Sequence, residues 1–286
     1  MKFNFQSLAY LLISGLIGFT SCKKDDETKP APTITINTNN LGSNQESGSA
    51  FGGATVKINF TAKADEELKS IEPFIVIGGN STSEGAQTSD FDSKTSSIED
   101  YEYNVPTTAS GSITIKFVVT DSKNQKTEKS FVINITSYSA KLLGAQTNEA
   151  GAYFSASTGL VYKSAEANAA VDKVDISYAF LGLGGSTLLS WNARKDATTG
   201  LTAAVPAAAR KTYFAVSTLT AAQFTALKLP SEISETVSTA SPEKISIEEG
   251  NVYSFLTQDG KKGLIHIQAL ATGVSGSATV NVKFAP

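Results

Sequence analysis

The chain has 286 residues, with 24 Lys and Arg against 27 Asp and Glu, a formal net charge of −3 and 41% hydrophobic residues. This length and composition allow two domains, each with its own core. The charge balance argues against the basic surface that nucleic acid requires, so we expect no nucleic-acid partner. A single cysteine excludes a disulfide within the chain.

The first 21 residues have the pattern of a secretory signal peptide. A positive end at Met1-Lys2 precedes residues 8–19, which are apolar apart from Ser14. This apolar run is too short to span a bilayer. We therefore predict that residues 1–21 form a leader for export.

The residues that follow resemble the lipobox of bacterial lipoproteins. Small residues, Thr20 and Ser21, precede Cys22, and the resemblance implies that Cys22 becomes an acylated first residue that anchors the protein in a membrane by a lipid such as palmitate. The alternative, a free or buried thiol, fits poorly between an apolar leader and a charged segment.

The five residues after Cys22 resemble the lysine-plus-acidic export signal of Bacteroidota lipoproteins. They are Lys23, Lys24, Asp25, Asp26 and Glu27. The resemblance implies a protein at the outer membrane, exposed at the cell surface. Residues 22–32 as a whole are too poor in apolar side chains to bury a core, and we predict a flexible, lipid-anchored tether there.

Residues 33–136 are predicted to form an immunoglobulin-like β-sandwich. Apolar and polar side chains alternate with the period of two that a half-buried strand requires, and turn signals recur at the spacing of a sandwich. Pro73 lacks a backbone donor, so its strand should lie at an edge or carry a bulge. Segments 39–53 and 78–97 are predicted to be irregular. The predicted strands are 33–37, 56–62, 68–77, 98–105, 112–120 and 126–135.

The last hairpin of this domain supports the same fold. Residues 118–125, with the sequence VVTDSKNQ, are followed by a final alternating strand. This stretch is similar to the last hairpin of bacterial immunoglobulin-like surface modules. The resemblance implies a fold and no activity, because such folds host many functions.

Residues 137–286 are predicted to form a second, β-rich domain, which makes the chain all-β. A hairpin should close around Thr158-Gly159. Thr220 and Gln223 have the spacing of a capping box, which predicts one short helix over 221–228, ended by Pro230. The other predicted strands are 174–180, 252–257, 264–269 and 277–284.

Four short stretches of this domain resemble HmuY-type surface lipoproteins, which scavenge haem. The resemblance implies their β-rich fold. Haem-binding members supply two axial His or Met ligands, whereas this chain has His266 and no Met after Met1. We therefore expect the fold without the haem, and no cofactor. The stretches are YFS at 153–155, STG at 157–159, VDIS at 174–177 and SFLTQDGK at 254–261.

Trp191 has two interpretations. Leu188 and Leu189 beside it favour a core or loop-packing position. Alternatively, an exposed indole could stack against a sugar ring, with Asn192 and Arg194 as hydrogen-bond donors. Trp191, Asn192 and Arg194 are thus the candidate ligand-binding residues, for a glycan or a protein at the cell surface.

No catalytic residues are assigned from the sequence. His266 is interpreted as an ordinary, partly exposed strand residue, because a zinc site needs three or four ligands. The acids at 65–67 and 248–249 are interpreted as solvated turn residues, although paired carboxylates could support glycosidase chemistry. Asp90 and Asp92 have the alternate spacing of oxygen ligands for Ca²⁺, a weak metal candidate.

Two classes of function remain open at this stage. The first is a surface-anchored, non-catalytic protein that captures a ligand or adheres to a surface, with the first domain as spacer and the second as reader. The second is an enzyme, a glycan hydrolase that works with carboxylates alone. A haem-binding protein of HmuY type is a further alternative. We expect the first, and expect that the protein is not an enzyme, because no catalytic motif accompanies the two β domains.

Overall fold

The computed structural model describes residues 29–42, 44–88, 95–196, 199, 201 and 205–286. Within these ranges lie 18 β-strands and two α-helices, which confirms the predicted all-β class. The leader, Cys22 and the predicted export signal lie outside the described residues, as do Asp90 and Asp92. No helix in the described part of the chain is long and apolar enough to cross a membrane.

The N-terminal domain is an immunoglobulin-like β-sandwich. Its described strands are β1 Thr33–Asn39, β2 Ser47–Ala50, β3 Thr55–Lys63, β4 Leu68–Ile77, β5 Asn80–Ser83, β6 Ser96–Asn104, β7 Gly111–Asp121 and β8 Lys126–Ile135. One sheet has the order β1-β3-β6 and the other the order β2-β8-β7-β4-β5. Alternating side chains of both sheets, such as Phe60 of β3 and Phe117 of β7, form the core between them.

Two strands occur in segments predicted to be irregular. β2 is built of small residues and pairs in parallel with β8, whereas all four residues of β5 are exposed. Neither strand has an alternating apolar pattern to reveal it. The strand that contains Pro73 was predicted to lie at an edge or carry a bulge; β4 lies next to the edge strand β5 and does carry a bulge, between Leu68 and Ser70. β5 pairs with 74–77 and stops before Pro73, so no ladder donor is required there.

The C-terminal domain is also a sandwich of two five-stranded sheets. The sheet orders are β11-β10-β12-β13-β15 and β14-β16-β17-β18-β9, and every pairing within them is antiparallel. The strands are β9 Ser137–Gly144, β10 Tyr153–Phe154, β11 Val161–Tyr162, β12 Ile176–Phe180, β13 Ser186–Ser190, β14 Thr212–Val216, β15 Lys244–Ser246, β16 Val252–Thr257, β17 Lys262–Ala271 and β18 Ser277–Ala285.

The described part of this domain contains two short α-helices, where one was predicted. The predicted helix is α2, Ala221–Ala226, and its capping box is formed: the Gln223 amide donates to the Thr220 hydroxyl at 3.2 Å and the Thr220 amide to the Gln223 side chain at 2.9 Å. The additional helix is α1, Ser164–Ala169. Its single buried residue, Ala167, leaves no apolar stripe that the sequence could show.

The two domains meet at a joint built around Phe51. The Phe51 side chain is buried against Phe224, Ile233, Val252 and Leu264 of the C-terminal domain. Its amide donates to the Lys228 carbonyl at 2.9 Å, and the amide of Gly52 donates to the Ser137 hydroxyl at 2.9 Å. These contacts hold the domains together through buried apolar surface as well as hydrogen bonds.

Candidate functional site

A cavity of about 540 Å³ opens on the C-terminal domain, within the size range of ligand sites. Three elements surround it: the connection between β9 and β10, the beginning of α1, and the turn after β13. Tyr153 and Arg194 supply its aromatic and charged walls. The remaining lining residues are Ala145, Gln146, Thr147, Asn148, Glu149, Gly151, Ala152, Lys163, Ser164 and Leu201.

The connection between β9 and β10 is held by its own side chains. The Gln146 amide group both donates to the Phe180 carbonyl at 2.6 Å and accepts from the Phe180 amide at 3.1 Å. Asn148 donates to the Ser275 carbonyl at 3.1 Å. Gly151 has φ +94°, and a Cβ there would lie 2.6 Å from the Tyr162 carbonyl oxygen. This wall is therefore formed before any ligand arrives.

Arg194 is the charged group of the cavity, although it is 4% exposed. Its Nη1 donates to the Tyr178 carbonyl at 3.2 Å, and its guanidinium lies 5.0 Å from the Tyr153 ring centre. Its Nε is buried without a hydrogen-bond partner. No described carboxylate pairs with it, and burial lowers the pKa of Arg194. A buried cation in this state is costly unless a further acceptor is supplied.

Trp191 lies in the core, as the first of its two interpretations predicted. The indole is 1% exposed and makes a tilted ring contact with Tyr153, with ring centres 5.2 Å apart at an angle of 57°. The interpretation of an exposed sugar platform is wrong, since the neighbouring Ala152, Val174 and Ala209 cover the ring. Trp191 instead supports Tyr153, which in turn contacts Arg194.

Asn192 faces a different depression from Arg194. The turn at Asn192–Lys195 is a 3₁₀ helix, so neighbouring side chains diverge. Asn192 lines a more open cleft of about 670 Å³ and donates to Glu243 at 3.1 Å. The three candidate ligand-binding residues therefore do not form one site.

The open cleft contains two acids, and each is engaged. Glu243 accepts from the Ser190 hydroxyl at 2.6 Å and forms an ion pair with Lys211 at 3.5 Å. Asp196 pairs with Lys244 at 3.0 Å. These contacts tie β15 to β13 and β14, and they give both carboxylates a structural role.

A partly buried ion network attaches the turn at 258–261 to the rest of the domain. Arg210 pairs with Asp175 at 3.2 Å and also with Asp259 of the turn. Burial raises the pKa of Asp175, while the Ala156 amide and Arg210 act in the opposite direction. The stretch with the most specific HmuY-type resemblance is thereby attached to the start of β12. Sequence reasoning missed Arg210, because its two partners lie 35 and 49 residues away.

The His266 ring lies on β17 and is partly buried, 5.6 Å from the Phe224 ring centre. The Nδ1 atom of His266 is buried without a hydrogen-bond partner, and burial lowers the pKa of His266. Three described tyrosines of this domain have hydrogen-bonded hydroxyls: Tyr138 donates to the Ser157 carbonyl at 3.0 Å, Tyr178 pairs with Ser186 at 3.0 Å, and Tyr253 accepts from the Glu248 amide at 2.9 Å.

The acids at 65–67 and 248–249 lie at turns and are exposed or half-buried. The Glu249 carboxylate accepts from the Leu270 amide at 2.9 Å, and Glu248 accepts from Asn251 at 3.3 Å. No group of three or more His, Cys, Asp or Glu is placed to hold a metal ion within the described ranges.

The cavity itself was not predicted from the sequence. Its walls come from segments 145–153, 163–164 and the turn at Arg194, and no motif joins them. The signal that the sequence did carry was Arg194, three residues after Trp191. Its burial and its missing partner emerge only once the surrounding strands are in place.

No family model and no curated protein matches this chain. Among solved structures, a Niemann-Pick type C2 protein from Japanese carpenter ant is 14% identical, with a TM-score of 0.28, over 42% of this chain and 99% of its own. The sporulation control protein Spo0M of Bacillus subtilis is 8% identical, with a TM-score of 0.25, over 56% and 78%. Fibronectin(III)-like modules of Clostridium thermocellum CbhA are 12% identical, with a TM-score of 0.25, over 87% and 91%. At these TM-scores, the likenesses indicate neither a ligand nor a reaction for this chain.

Proposed function

We propose that this protein is a lipid-anchored lipoprotein of the outer membrane, exposed at the cell surface, which captures a ligand without transforming it. The leader, Cys22 and the resemblance of Lys23–Glu27 to an export signal support the location. The N-terminal sandwich serves as the spacer next to the tether, and the C-terminal sandwich as the reader. The resemblance to HmuY-type proteins supports a capture role and not a haem ligand.

The observation that carries the proposal is the preformed cavity at Arg194. Side-chain hydrogen bonds hold its wall at 145–152. The protein therefore loses less conformational entropy when a ligand binds. Its volume of about 540 Å³ is that of a small-molecule site. Binding there supplies acceptors to a charged group that the protein leaves incompletely bonded.

Glycan hydrolysis is the rival function, and the open cleft is its most favourable location. Glycosidases need two carboxyl groups on either side of the scissile bond, one to donate a proton and one to act as base or nucleophile. Glu243 and Asp196 each face a lysine instead, at 3.5 and 3.0 Å. We therefore favour capture over hydrolysis.

The proposal is tested by blocking the cavity. Ser164 is exposed and lines the cavity, whereas Ala165 is exposed on the same helix and does not line it. The full-length protein in detergent micelles is heated with glucose, N-acetylglucosamine, glucuronate or N-acetylneuraminate. A bound ligand raises the unfolding temperature by mass action.

At least one probe should stabilise the wild type and Ala165→Trp, and should fail to stabilise Ser164→Trp. The recovered probe should be chemically unchanged. Absence of stabilisation by all four probes would contradict capture of this ligand class, and equal stabilisation of Ser164→Trp would contradict the location. Consumption of a probe would favour the enzyme.

A further inference from the structure

The guanidinium of Arg194 has one edge that makes no hydrogen bond within the described part of the chain. Nη1 is used by the Tyr178 carbonyl at 3.2 Å. Nε has no partner, and Nη2 makes no hydrogen bond within the described part of the chain. Nε and Nη2 lie on the same edge of the planar guanidinium; Nε is buried, whereas Nη2 is not among the fully buried atoms. Nη2 can therefore donate a charge-assisted hydrogen bond to a carboxylate in the cavity.

The surroundings supply no negative charge for that edge. The undescribed residues between Asp196 and Val205 are Ala, Thr and Gly in the sequence and carry no carboxylate. The acid among the lining residues is Glu149, which is highly exposed and pairs with Lys163 at 3.4 Å. The cavity therefore combines one incompletely bonded cation with one ion pair whose charges cancel. That balance fits a ligand with a single negative charge.

The rest of the lining distinguishes among singly charged ligands. The lining has few aliphatic side chains, chiefly the small Ala145 and Ala152 and one leucine, Leu201. Its rim carries the Lys163–Glu149 ion pair and the exposed Ser164. The Ser164 hydroxyl makes no hydrogen bond within the described residues. A fatty acid would desolvate these polar groups without replacing their hydrogen bonds. A hydroxylated acid satisfies them.

We propose that the cavity binds the carboxylate of an acidic sugar, with Nη2 of Arg194 as the charged donor to the carboxylate and Tyr153 holding the guanidinium in place. This assignment rests on the proposed capture function and names its ligand class. Because Tyr153 contacts the single tryptophan of the chain, Trp191, binding at Arg194 should alter the tryptophan fluorescence.

The test titrates full-length protein in detergent micelles with glucuronate and with N-acetylneuraminate, and follows Trp191 emission. The methyl ester of glucuronate serves as a ligand of similar size and hydroxyl pattern without the charge, and inorganic phosphate serves as an anion that is not a carboxylate. Both acids should give saturable changes, and the ester and phosphate should bind more weakly. The expected loss is roughly 10- to 100-fold, since the ester removes charge-assisted hydrogen bonds.

Arg194→Gln should weaken binding of both acids by a similar factor, and Lys195→Gln should leave it unchanged. Lys195 is the neighbouring cation and lines the open cleft instead of the cavity, so the two variants change the net charge equally. Should Arg194→Gln fail to fold, the comparison of glucuronate with its ester on the wild type still tests the assignment.

Equal affinity for glucuronate and its ester would overturn the carboxylate assignment while leaving capture by the cavity in place. Tighter binding of phosphate than of both acids would overturn it as well. If no sugar perturbs Trp191 or the unfolding temperature of the wild type, both the ligand class and the proposed function are overturned.

Discussion

Phe51 of the N-terminal domain and Lys283 of the last strand meet at the joint, with the Lys283 ammonium 5.1 Å from the centre of the Phe51 ring. The same ammonium donates to the carbonyls of Phe224, Thr225 and Leu227 at 2.8, 3.3 and 2.5 Å. These carbonyls lie at the end of α2, where helix carbonyls have no intrahelical donor. Lys283 therefore bonds the free carbonyls at the end of α2 and also contacts the N-terminal domain.

The stability of the protein should depend on the titration of Lys283. Burial lowers its pKa to about 8, with Lys228 acting in the same direction and Glu232 against it, whereas the ordinary value is 10.5. Between these values the unfolded chain binds more protons than the folded chain, so stability rises with pH across that window. Relative to Lys283→Met, the free energy of unfolding of the wild type should increase by up to about 3 kcal/mol from pH 8 to pH 10.5, as measured by urea unfolding.

Lys262→Met is the matched control for this measurement, because Lys262 is an exposed residue of the adjacent strand β17. Its difference from the wild type should not change with pH in that window. Parallel curves for the wild type and Lys283→Met would show that the Lys283 ammonium keeps its ordinary pKa at the joint.

Arg210→Met should destabilise the C-terminal domain by about 3 to 5 kcal/mol at neutral pH, because it leaves the buried Asp175 carboxylate without its countercharge. The pKa of Asp175, already raised by burial, should rise further. The folded variant then binds more protons than the unfolded chain above the unfolded pKa, so its stability falls as pH rises and recovers in acid. Urea unfolding at pH 4 and pH 7 measures this change.

The matched variant for the network is Asp175→Asn combined with Arg210→Met. It removes the charge that Arg210 neutralises, so it should be more stable than Arg210→Met alone at pH 7. Equal stability of the single and double variants would mean that the loss comes from the packing of Arg210 and not from the uncompensated carboxylate.

Cys22→Ala should release the protein from the membrane fraction. Stable anchoring requires more than one lipid chain, and acylation of Cys22 is the route that the lipobox resemblance implies. Cells expressing either form are fractionated, and the protein is followed by immunoblot. Persistence of Cys22→Ala in the membrane pellet would argue against the lipoprotein proposal, and Ser21→Ala serves as a control that retains the thiol and a small preceding residue.

Haem should not bind with the affinity of a haemophore. Iron is ordinarily held by axial His, Met, Cys or Tyr, and the chain has a single His and a single Met, which is Met1. Tyrosine is the remaining source of a ligand, with candidates at Tyr153, Tyr162, Tyr178, Tyr213 and Tyr253. Titration of haem should give a weak, featureless absorbance change that His266→Ala leaves unaltered. A sharp Soret band that saturates at one haem per chain would contradict this prediction.

Local patterns in the sequence were sufficient to predict most strands. β4 and β8 begin and end where predicted, and β3 differs by one residue at each end. Alternation works there because each strand buries one face, and side chains on a strand change sides at every residue. The capping box of α2 was predicted for the same reason, since Thr220 and Gln223 satisfy each other's backbone amides without help from distant residues.

Elements without an apolar pattern required the tertiary structure. β2 exists because β8 offers it a parallel ladder, and α1 buries a single alanine. Trp191 shows the same limit in a side chain. The residues that cover it, Ala152, Val174 and Ala209, come from different parts of the chain, and the sequence near 191 is equally compatible with an exposed indole.

The sequence by itself determined that the chain is all-β, and it supplied the expectation of a leader and a lipid anchor, because both depend on short, continuous stretches. The tertiary structure decided the candidate site. Arg194 becomes the candidate anion-binding group because distant strands bury it and leave one edge of its guanidinium without an acceptor. That state depends on the relative positions of segments 145–153, 163–164 and 191–196, which the folded core sets and no local pattern encodes.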